Sequence, residues 1–513
     1  MATSGIKFSQ LLAGVDDAEL LRGADLSITS VAYDSRVVQP GELFVALRGS
    51  YADGHDYLQA ARAAGAVGCL IDHAPDDVEL DGFKAVARVA DSRRALARIA
   101  RNYYGEPSRD LRLVGITGTD GKTTTSFMAA HLLRAAGLRT GLVGTVAIEI
   151  PGQSPRSAGR QTTPESLDTQ RLLSEMRDGC ADAVILETSS HGLETHRVDG
   201  CLFDVGLITN ITHEHLDFHG SIESYRRAKA RLLDLVAGAR GAGKMGIASV
   251  NADDAGARAV VAHAKGLRLL RYGLANPDGV DVSAIDIAPT FGGYSFTLNV
   301  EGERCETGIP MIGEWNVSNA LAAVAICHAL DVPLTTIVEE LRRLPPVPGR
   351  MEPVRAGQPF QVIVDYAHTA PALRGVLAAA RASTAGRVLA LFGSAGERDV
   401  EKRGEMGAVA ALGADYFVVT SEDPRFEDPD AIIDQIVAGA VGAGARQGVD
   451  FDRLEDRRRA LEHLLDRAEE GDMVILAGKG HERSMIYGSE ARPWDEVRIA
   501  REILESMGYT ADL

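Results

Sequence analysis

Long apolar runs are missing from this chain. No stretch approaches the roughly 20 residues that a helix needs to cross a bilayer, and the opening "MATSGIKFSQLLAGVDDAEL" meets acidic residues early, without a basic segment ahead of an apolar core. Neither membrane insertion nor secretion is expected. Paired cysteines are also lacking: Cys69, Cys180, Cys201, Cys305 and Cys327 are scattered, odd in number and never spaced C-x-x-C. That excludes a disulfide framework and a thiolate zinc site, and a reducing cytoplasm is the simplest home. Excess positive charge is absent as well. A formal net charge of -18 opposes the collection of phosphates and the release of counterions on which nucleic-acid binding depends. Any anionic ligand must then be held by local groups. No short-period repeat and no low-complexity tract is present, so a repeat array is not indicated.

What is present reads as an ordinary globular protein, 45% apolar and 25% charged. Its 513 residues exceed one compact core, and two to four domains are expected. The first hundred or so residues mix short apolar runs, "ELFVALRG" and "AVGCLID", with "SRRALARIARNYYG", which predicts a helix ending at Gly105 and Pro107. From Leu111, apolar strands alternate with helices: "LRLVGIT", "ADAVILETSS", "DVGLITNI" and "KMGIASVNADD". Strands apolar throughout imply a parallel sheet covered on both faces. Residues 275 to 310 alternate like antiparallel strands added at an edge. "LRRLPPVPGRME" then stops a helix and marks a linker. A second α/β series follows, "FQVIVDYAH", "RVLALFGSAGERD", "ADYFVVTSEDPR" and "DMVILAGKGHE", each apolar run ending in polar residues, where open α/β sheets gather ligands.

"VGITGTDGKTTT" resembles a phosphate loop yet has Ile116 where G-x-x-x-x-G-K-[ST] requires its first glycine. The physical recipe is nonetheless complete. A strand, a glycine-rich turn and a helix N-terminus direct backbone N–H groups at an anion. Lys122 would neutralise the outer phosphates and Thr123 would offer its hydroxyl to Mg²⁺. The plainer reading is a strand-to-helix turn with a solvated lysine. Asp120 is out of place in such a cradle unless it points away or meets a cation. Further on, His213, His215 and His219 have an H-x-H-x₃-H pattern that suits zinc, or equally histidines that cap or pack a loop. Glu187, at the end of the strand in "LETSS", offers a hard oxygen donor that favours Mg²⁺ beside phosphates.

Seven segments, "TGTDGKTTT", "ETSSHGLETHRV", "TNITHEHLDFHGSIESYRRAK", "GEWNVSN", "GRME", "VDYAHT" and "AGKGHE", follow one another as in the Mur ligases. The chain resembles that family over about its whole length, most of all the branch that adds the third amino acid to UDP-N-acetylmuramoyl-dipeptide. The family's shortened signature, T-G-T-x-G-K-T, accounts for Ile116, while asparagine is common there where this chain has Asp120. The resemblance implies an α/β protein of three domains. Residues 1–110 would form a small N-terminal UDP-sugar-binding domain, 111–345 a central P-loop ATPase-like parallel sheet, and 346–513 a C-terminal Rossmann-like domain for the amino acid.

Residue by residue, the resemblance implies an ATP site of Gly118, Thr119, Asp120, Gly121, Lys122, Thr123 and Thr124 with Asn316, Arg350, Asp365 and His368, the last three requiring the C-terminal domain to close over ATP. Thr123, Glu187, His215 and Lys229 would serve two Mg²⁺ ions. Lys229 matches the lysine that the family carbamylates with CO₂, which chemically requires a neutral amine. "YDSR" and "RGSYADG" resemble uridine-binding segments and point to Ser35, Ser50, Tyr51 and Ala52. Gln161, Thr162, Thr163, Ser189, Thr195 and Arg197 match positions that hold the muramoyl-dipeptide, with Gln161 in place of asparagine and Thr195 in place of glutamine.

For the incoming amino acid, the family's diaminopimelate ligases carry D-N-P-R where this chain has Glu422, Asp423, Pro424 and Arg425. Arg425 suits a carboxylate, whereas an anion at Asp423 would favour the ammonium of lysine or ornithine. Arg398, Gly478 and Glu482 match the remaining contacts, and diaminopimelate ranks narrowly first. The implied reaction is ATP-dependent amide ligation through an acyl phosphate in peptidoglycan biosynthesis, by a cytoplasmic monomer with Lys122, Glu187, His215 and Lys229 as the catalytic set. The competing readings are a folylpolyglutamate-synthetase-like ligase, opposed by the "DSR", "ADG" and "HGLETHRV" segments, and a non-catalytic nucleotide-binding scaffold.

Overall fold

Five short strands near the N-terminus, each bounded by turn residues, build the first sheet in the order Glu19–Arg22, Ala85–Arg88, Gly68–Ile71, Leu43–Val45 and Val31–Ala32. All pairs are parallel except the first. The computed structural model describes residues 5–49, 52–73, 80–157, 159, 161–212, 214 and 216–510. Against this sheet packs the helix Ser92–Tyr103, capped by the Asp91 carboxylate on the N–H groups of Arg93 and Arg94. It stops before Gly105 and Glu106, both left-handed, as the sequence predicts.

The chain divides into two compact units. One comprises Met1–Ser283, Asn299–Glu303 and Asn319–Ile337; the other comprises Ala284–Leu298, Arg304–Ser318 and Val338–Leu513. Besides the N-terminal sheet, the first unit holds eight strands of a larger one, in the order Arg156–Ser157, Ala147–Glu149, Thr140–Val143, Ala183–Glu187, Arg112–Thr117, Val205–Ile208, Ile247–Asn251 and Arg268–Gly273. From Thr140–Val143 onward its strands run parallel. Every residue of Ala183–Glu187 and Ile247–Asn251 is buried, because helices cover both faces of a parallel sheet.

In the second unit, Gln361–Asp365, Met473–Ala477, Val388–Phe392, Tyr416–Val419 and Phe451–Arg453 pair in parallel, with Glu352–Val354 antiparallel at one edge. Apolar clusters lie on its two faces, one centred on Phe392 and Ile436 and one on Leu464 and Ile503. This unit also takes most of the strands Val282–Thr290 and Gly293–Val300 and of Glu303–Ile309, which are joined by two-residue turns, in the region where the sequence alternates. No described helix is long and apolar enough to cross a membrane.

Candidate active site

The strand Arg112–Thr117 leads into the glycine turn and the helix Lys122–Ala135. Its neighbours bring the other parts. Glu187 pairs in register with Ile116 on one side, and Ile208 pairs with Thr117 on the other. Thr209 and Asn210 therefore lie against the loop: the Thr209 hydroxyl donates to the Asp120 carbonyl at 2.6 Å, and the Asp120 N–H donates to Asn210 Oδ1 at 2.8 Å. The Asp120 side chain itself is exposed, which answers how a carboxylate is tolerated beside a phosphate cradle. A Cβ at Gly118 would meet Thr209 Oγ1 at 1.8 Å, and one at Gly121, left-handed at φ 82°, would meet Asn319 Oδ1 at 2.4 Å. Lys122 Nζ donates to the carbonyls of Gly118 and Thr119, both at 2.8 Å, so its charge sits over the turn. Thr119 is tied to the hydroxyl of Tyr225 at 3.0 Å, and Thr124 is buried in the first turn of the helix.

Glu187 is fully buried. Its Oε2 accepts from the hydroxyls of Thr123 at 3.0 Å and Thr145 at 2.9 Å, and its Oε1 accepts from the Thr145 N–H at 3.1 Å. Desolvation raises its pKa, opposed next by the charge of Lys122. Lys229 comes from the helix Ile222–Ala239, on the buried stripe with Tyr225, Leu232 and Val236. It is 1% exposed and donates to the Gly118 carbonyl at 2.7 Å. Burial, and then the charge of Lys122, hold its pKa well below that of an ordinary lysine. The hydroxyl of Thr123 and the carboxylate of Glu187, adjacent at the mouth of a phosphate loop, are hard oxygen donors that fit Mg²⁺. His213 and His215 lie outside the described residues. The His219 ring packs edge-on against Phe218 and Tyr225, at 4.8 and 5.2 Å between centroids, which favours the packing reading for that histidine.

The segments assigned to the UDP-sugar dipeptide occupy the same unit. Thr163, buried, donates to the Glu187 carbonyl at 2.9 Å and meets the Ser189 hydroxyl at 3.0 Å; the Thr162 and Thr145 hydroxyls meet at 3.0 Å. Ser189 caps the following helix by accepting from the Gly192 N–H. Arg197 Nη1 donates to the Thr163 carbonyl at 3.0 Å. Thr195 spends its hydroxyl proton on the His191 carbonyl at 2.7 Å, so it has only a lone pair to offer. Gln161 is exposed beside them. Ser35 sits in a turn held by the bonds between Asp34 and Arg36. Ser50 and Tyr51 lie outside the described residues, while Ala52 is exposed and its carbonyl accepts the Gly49 N–H at 2.9 Å. Asp53, His55 and His73 approach one another here in a metal-like group. Both nitrogens of His55 are engaged, by Asp53 at 2.6 Å and by the Asp72 N–H at 3.2 Å, so the group braces the loop.

In the second unit, Asp365 ends a strand and accepts from the N–H groups of Met351 and Ala367, both at 2.8 Å. Arg350 lies over the Tyr366 ring at 4.8 Å, and His368 Nδ1 contacts the Tyr366 carbonyl at 2.9 Å. Asn316 Nδ2 donates to the Ile312 carbonyl at 2.7 Å. A Cβ at Gly349 would meet His481 N at 2.2 Å, so "GRME" and "GKGHE" pack together only through glycine.

The segments assigned by resemblance to the incoming amino acid converge at the ends of the same strands. Glu422, Asp423, Pro424 and Gly478 are buried, Arg425 and Glu482 are half-buried, and Arg398 is exposed. Asp423 does not stand as a bare anion, contrary to the expectation from sequence. Its Oδ1 accepts from Lys479 Nζ at 2.8 Å and from the Ile486 N–H at 3.0 Å, because a carboxylate removed from water requires a cation. Lys479 also donates to Glu482 Oε2 at 2.5 Å. Glu422 Oε2 and Arg425 Nε are buried without a hydrogen-bond partner among the described residues, and Glu422 Oε2 lies 3.0 Å from where a Cβ on Gly478 would sit.

Four structural participants escape sequence reasoning: Thr145, Tyr225, Lys479 and Arg457. Lys479 lies inside a recognised motif, yet only its neighbours Gly478 and Glu482 are singled out there. Arg457 begins the basic run "RRRALEH" and is fully buried. It donates to the carbonyls of Ser421 at 3.2 Å and Ala477 at 2.9 Å and pairs with the buried Glu496. It thereby holds the loops that carry Glu422 and Gly478.

Comparison with known proteins accords with this arrangement. The Mur ligase family catalytic domain matches residues 27–104, the Mur ligase middle domain residues 116–327, and the Mur ligase glutamate ligase domain residues 349–480. A UDP-N-acetylmuramyl-tripeptide synthetase of Roseiflexus sp. is 44% identical over 94% of this chain and 95% of its own. A UDP-N-acetylmuramoyl-L-alanyl-D-glutamate–2,6-diaminopimelate ligase of Caldanaerobacter subterraneus is 38% identical over 97% and 99%. A solved structure of a ligase of the latter name superimposes with a TM-score of 0.69 at 28% identity, covering 99% and 100%. With family domains matched along the chain and full-length relatives well above 30% identity, the chain belongs to the Mur ligase family of ATP-dependent amide ligases.

Proposed function

We propose that this ligase joins a diamino acid to UDP-N-acetylmuramoyl-L-alanyl-D-glutamate in peptidoglycan biosynthesis, with meso-diaminopimelate first and L-lysine or L-ornithine as the competitors. The observation that carries the reading is the gathering of Lys122, Thr123, Glu187 and Lys229 around one glycine turn. Diaminopimelate is favoured by the names of the relatives at 38% and 28% identity. It is also favoured by the pairing of Asp423 with Lys479, which offsets the anion expected to repel a distal carboxylate, while Arg425 keeps a buried N–H without a partner among the described residues.

In the proposed reaction, an oxygen of the D-glutamate side-chain carboxylate forms a bond to the γ-phosphorus of ATP as the bond to the bridging oxygen breaks, giving an acyl phosphate and ADP. The amine of the diamino acid then attacks the acyl carbon, phosphate leaves, and the amine loses a proton. Lys122 neutralises charge on the transferred group, and the N–H groups of the turn orient it. Magnesium, held by Thr123 and Glu187 and in the family's manner by His215 and a carbamate on Lys229, would supply further charge neutralisation. The neutral amine that carbamylation by CO₂ requires is consistent with the burial of Lys229. Asn316, Arg350, Asp365 and His368 would contact the nucleotide. Ser35, Ser50, Tyr51 and Ala52 would contact the uridine, with Gln161, Thr162, Thr163, Ser189, Thr195 and Arg197 on the dipeptide side. Arg398, Glu422, Asp423, Pro424, Arg425, Gly478 and Glu482 would receive the diamino acid. A cytoplasmic monomer with domains at 1–110, 111–345 and 346–513 completes the proposal.

Phosphate release from ATP with UDP-N-acetylmuramoyl-L-alanyl-D-glutamate, bicarbonate and magnesium, run with each of the three diamino acids, tests it. Turnover is expected with diaminopimelate. Turnover with lysine or ornithine alone would reassign the pocket, and none with any would overturn the reaction in favour of the scaffold reading.

A further inference from the structure

Two contacts between residues far apart in sequence meet on the first turn of the helix Ser166–Asp178. The Tyr33 hydroxyl, two residues before Ser35, donates to Asp168 Oδ2 at 2.6 Å. Arg93, at the start of the helix Ser92–Tyr103, donates from Nη1 to Glu165 Oε2 at 2.8 Å, and from Nε and Nη2 to the Arg48 carbonyl at 3.3 and 3.0 Å. Arg48 stands at the foot of "RGSYADG", whose ends are closed by the bond from the Gly54 N–H to the Leu47 carbonyl at 2.8 Å. On its other side Glu165 Oε2 lies 3.7 Å from Arg197 Nε, which is buried without a hydrogen-bond partner among the described residues, while Arg197 Nη1 holds the Thr163 carbonyl. Glu165 also caps the helix by accepting the Ser166 N–H at 3.3 Å. A continuous chain thus runs from the uridine-side loop through Arg93 and Glu165 to Arg197 and the dipeptide-side loop. A second link, Tyr33 to Asp168, runs from the other uridine-side segment.

We propose that Glu165 and Asp168, with Arg93 and Tyr33, form a clamp that fixes the spacing between the uridine loops and the muramoyl-dipeptide loop, and that these four are positioning residues for the UDP-sugar substrate. The inference rests on the assignment of those loops under the proposed function. Its physical basis is preorganisation: a substrate gripped at both ends binds with the affinity of two sites only when their separation is set in advance. Glu165 is suited to this role because one carboxylate, 8% exposed, separates two guanidiniums. Without its charge, Arg93 and Arg197 face each other in a poorly solvated space, and the path from Arg48 to Thr163 is broken.

The test compares Glu165→Gln, Asp168→Asn and Tyr33→Phe with the wild-type protein in steady-state turnover, calorimetric binding of UDP alone and thermal unfolding. Glu165→Gln is expected to raise KM for the UDP-sugar dipeptide about tenfold, as losing a charge-assisted bond to a substrate-orienting arginine would. It should leave kcat and KM for ATP within about twofold, and Kd for UDP within about twofold, since UDP touches one side of the clamp only. Asp168→Asn and Tyr33→Phe should each raise the same KM about threefold. An unchanged KM for the UDP-sugar dipeptide would overturn the clamp. So would equal rises in both KM values together with a lowered Tm, which mark a brace of the fold, or an equal weakening of UDP alone. If the wild-type protein shows no turnover, the functional reading beneath the clamp fails instead.

Discussion

A methyl group at Gly118 would lie 1.8 Å from the Thr209 hydroxyl oxygen, far inside contact distance, and Thr209 is itself bonded to the Asp120 carbonyl. Gly118→Ala must therefore displace the turn that positions Lys122 and Lys229. Phosphate release is expected to fall at least about a hundredfold, the scale of losing an oriented transition-state contact. A residual rate within about threefold of wild type would show that the turn tolerates the shift. His481 provides a second prediction at this scale. Burial, then the charge of Arg350, depresses its pKa to about 4, and its Nδ1 has no hydrogen-bond partner among the described residues. A folded-state value below the ordinary 6.5 means that its contribution is present above about pH 6.5 and is lost as pH falls toward 4, by at most about 3 kcal/mol. His481→Gln should therefore lose less Tm than the wild-type protein between about pH 7 and pH 5, a difference that differential scanning calorimetry would register. Equal losses would contradict it.

Among the elements, the helix Arg457–Asp466 shows how a surface-like sequence becomes a core support. Arg457 and Glu496 are both fully buried and pair at 2.6 Å, so removal of one leaves the charge of the other buried without its partner. Arg457→Met is expected to destabilise the protein by about 3–5 kcal/mol, and adding Glu496→Leu should recover part of that loss. Denaturant titration of the single and double variants would decide the point, because a double variant worse than the sum of the singles would remove the pairing argument. Other elements were legible directly. Strands apolar throughout, such as Ala183–Glu187 and Met473–Ala477, announced parallel sheets, and "SRRALARIARNYYG" announced its helix and its stop. Burial of Arg457 was not legible, since a basic run looks the same whether it faces water or a buried glutamate supplied by a helix 39 residues later.

For the whole molecule, the net charge of -18 leaves no general field for polyanions. Fluorescence anisotropy of a labelled DNA duplex at about 0.15 M salt is expected to stay flat with added protein; saturable binding would point to a basic patch that the charge total hides. The ordered motifs determined the family and the α/β class and proposed most residues of the candidate site, because phosphate binding needs a specific succession of strand, glycine turn, lysine and helix that sequence records directly. Which charges are compensated was decided only by the tertiary structure. Asp423 reads as a repelling anion until Lys479 is found beside it, and nothing in the sequence pairs Glu165 with Arg93 and Arg197, which lie on either side of it. The physical reason is that a charge removed from water is governed by the few groups within several ångströms, and in a doubly wound sheet those groups come from strands and helices scores of residues apart.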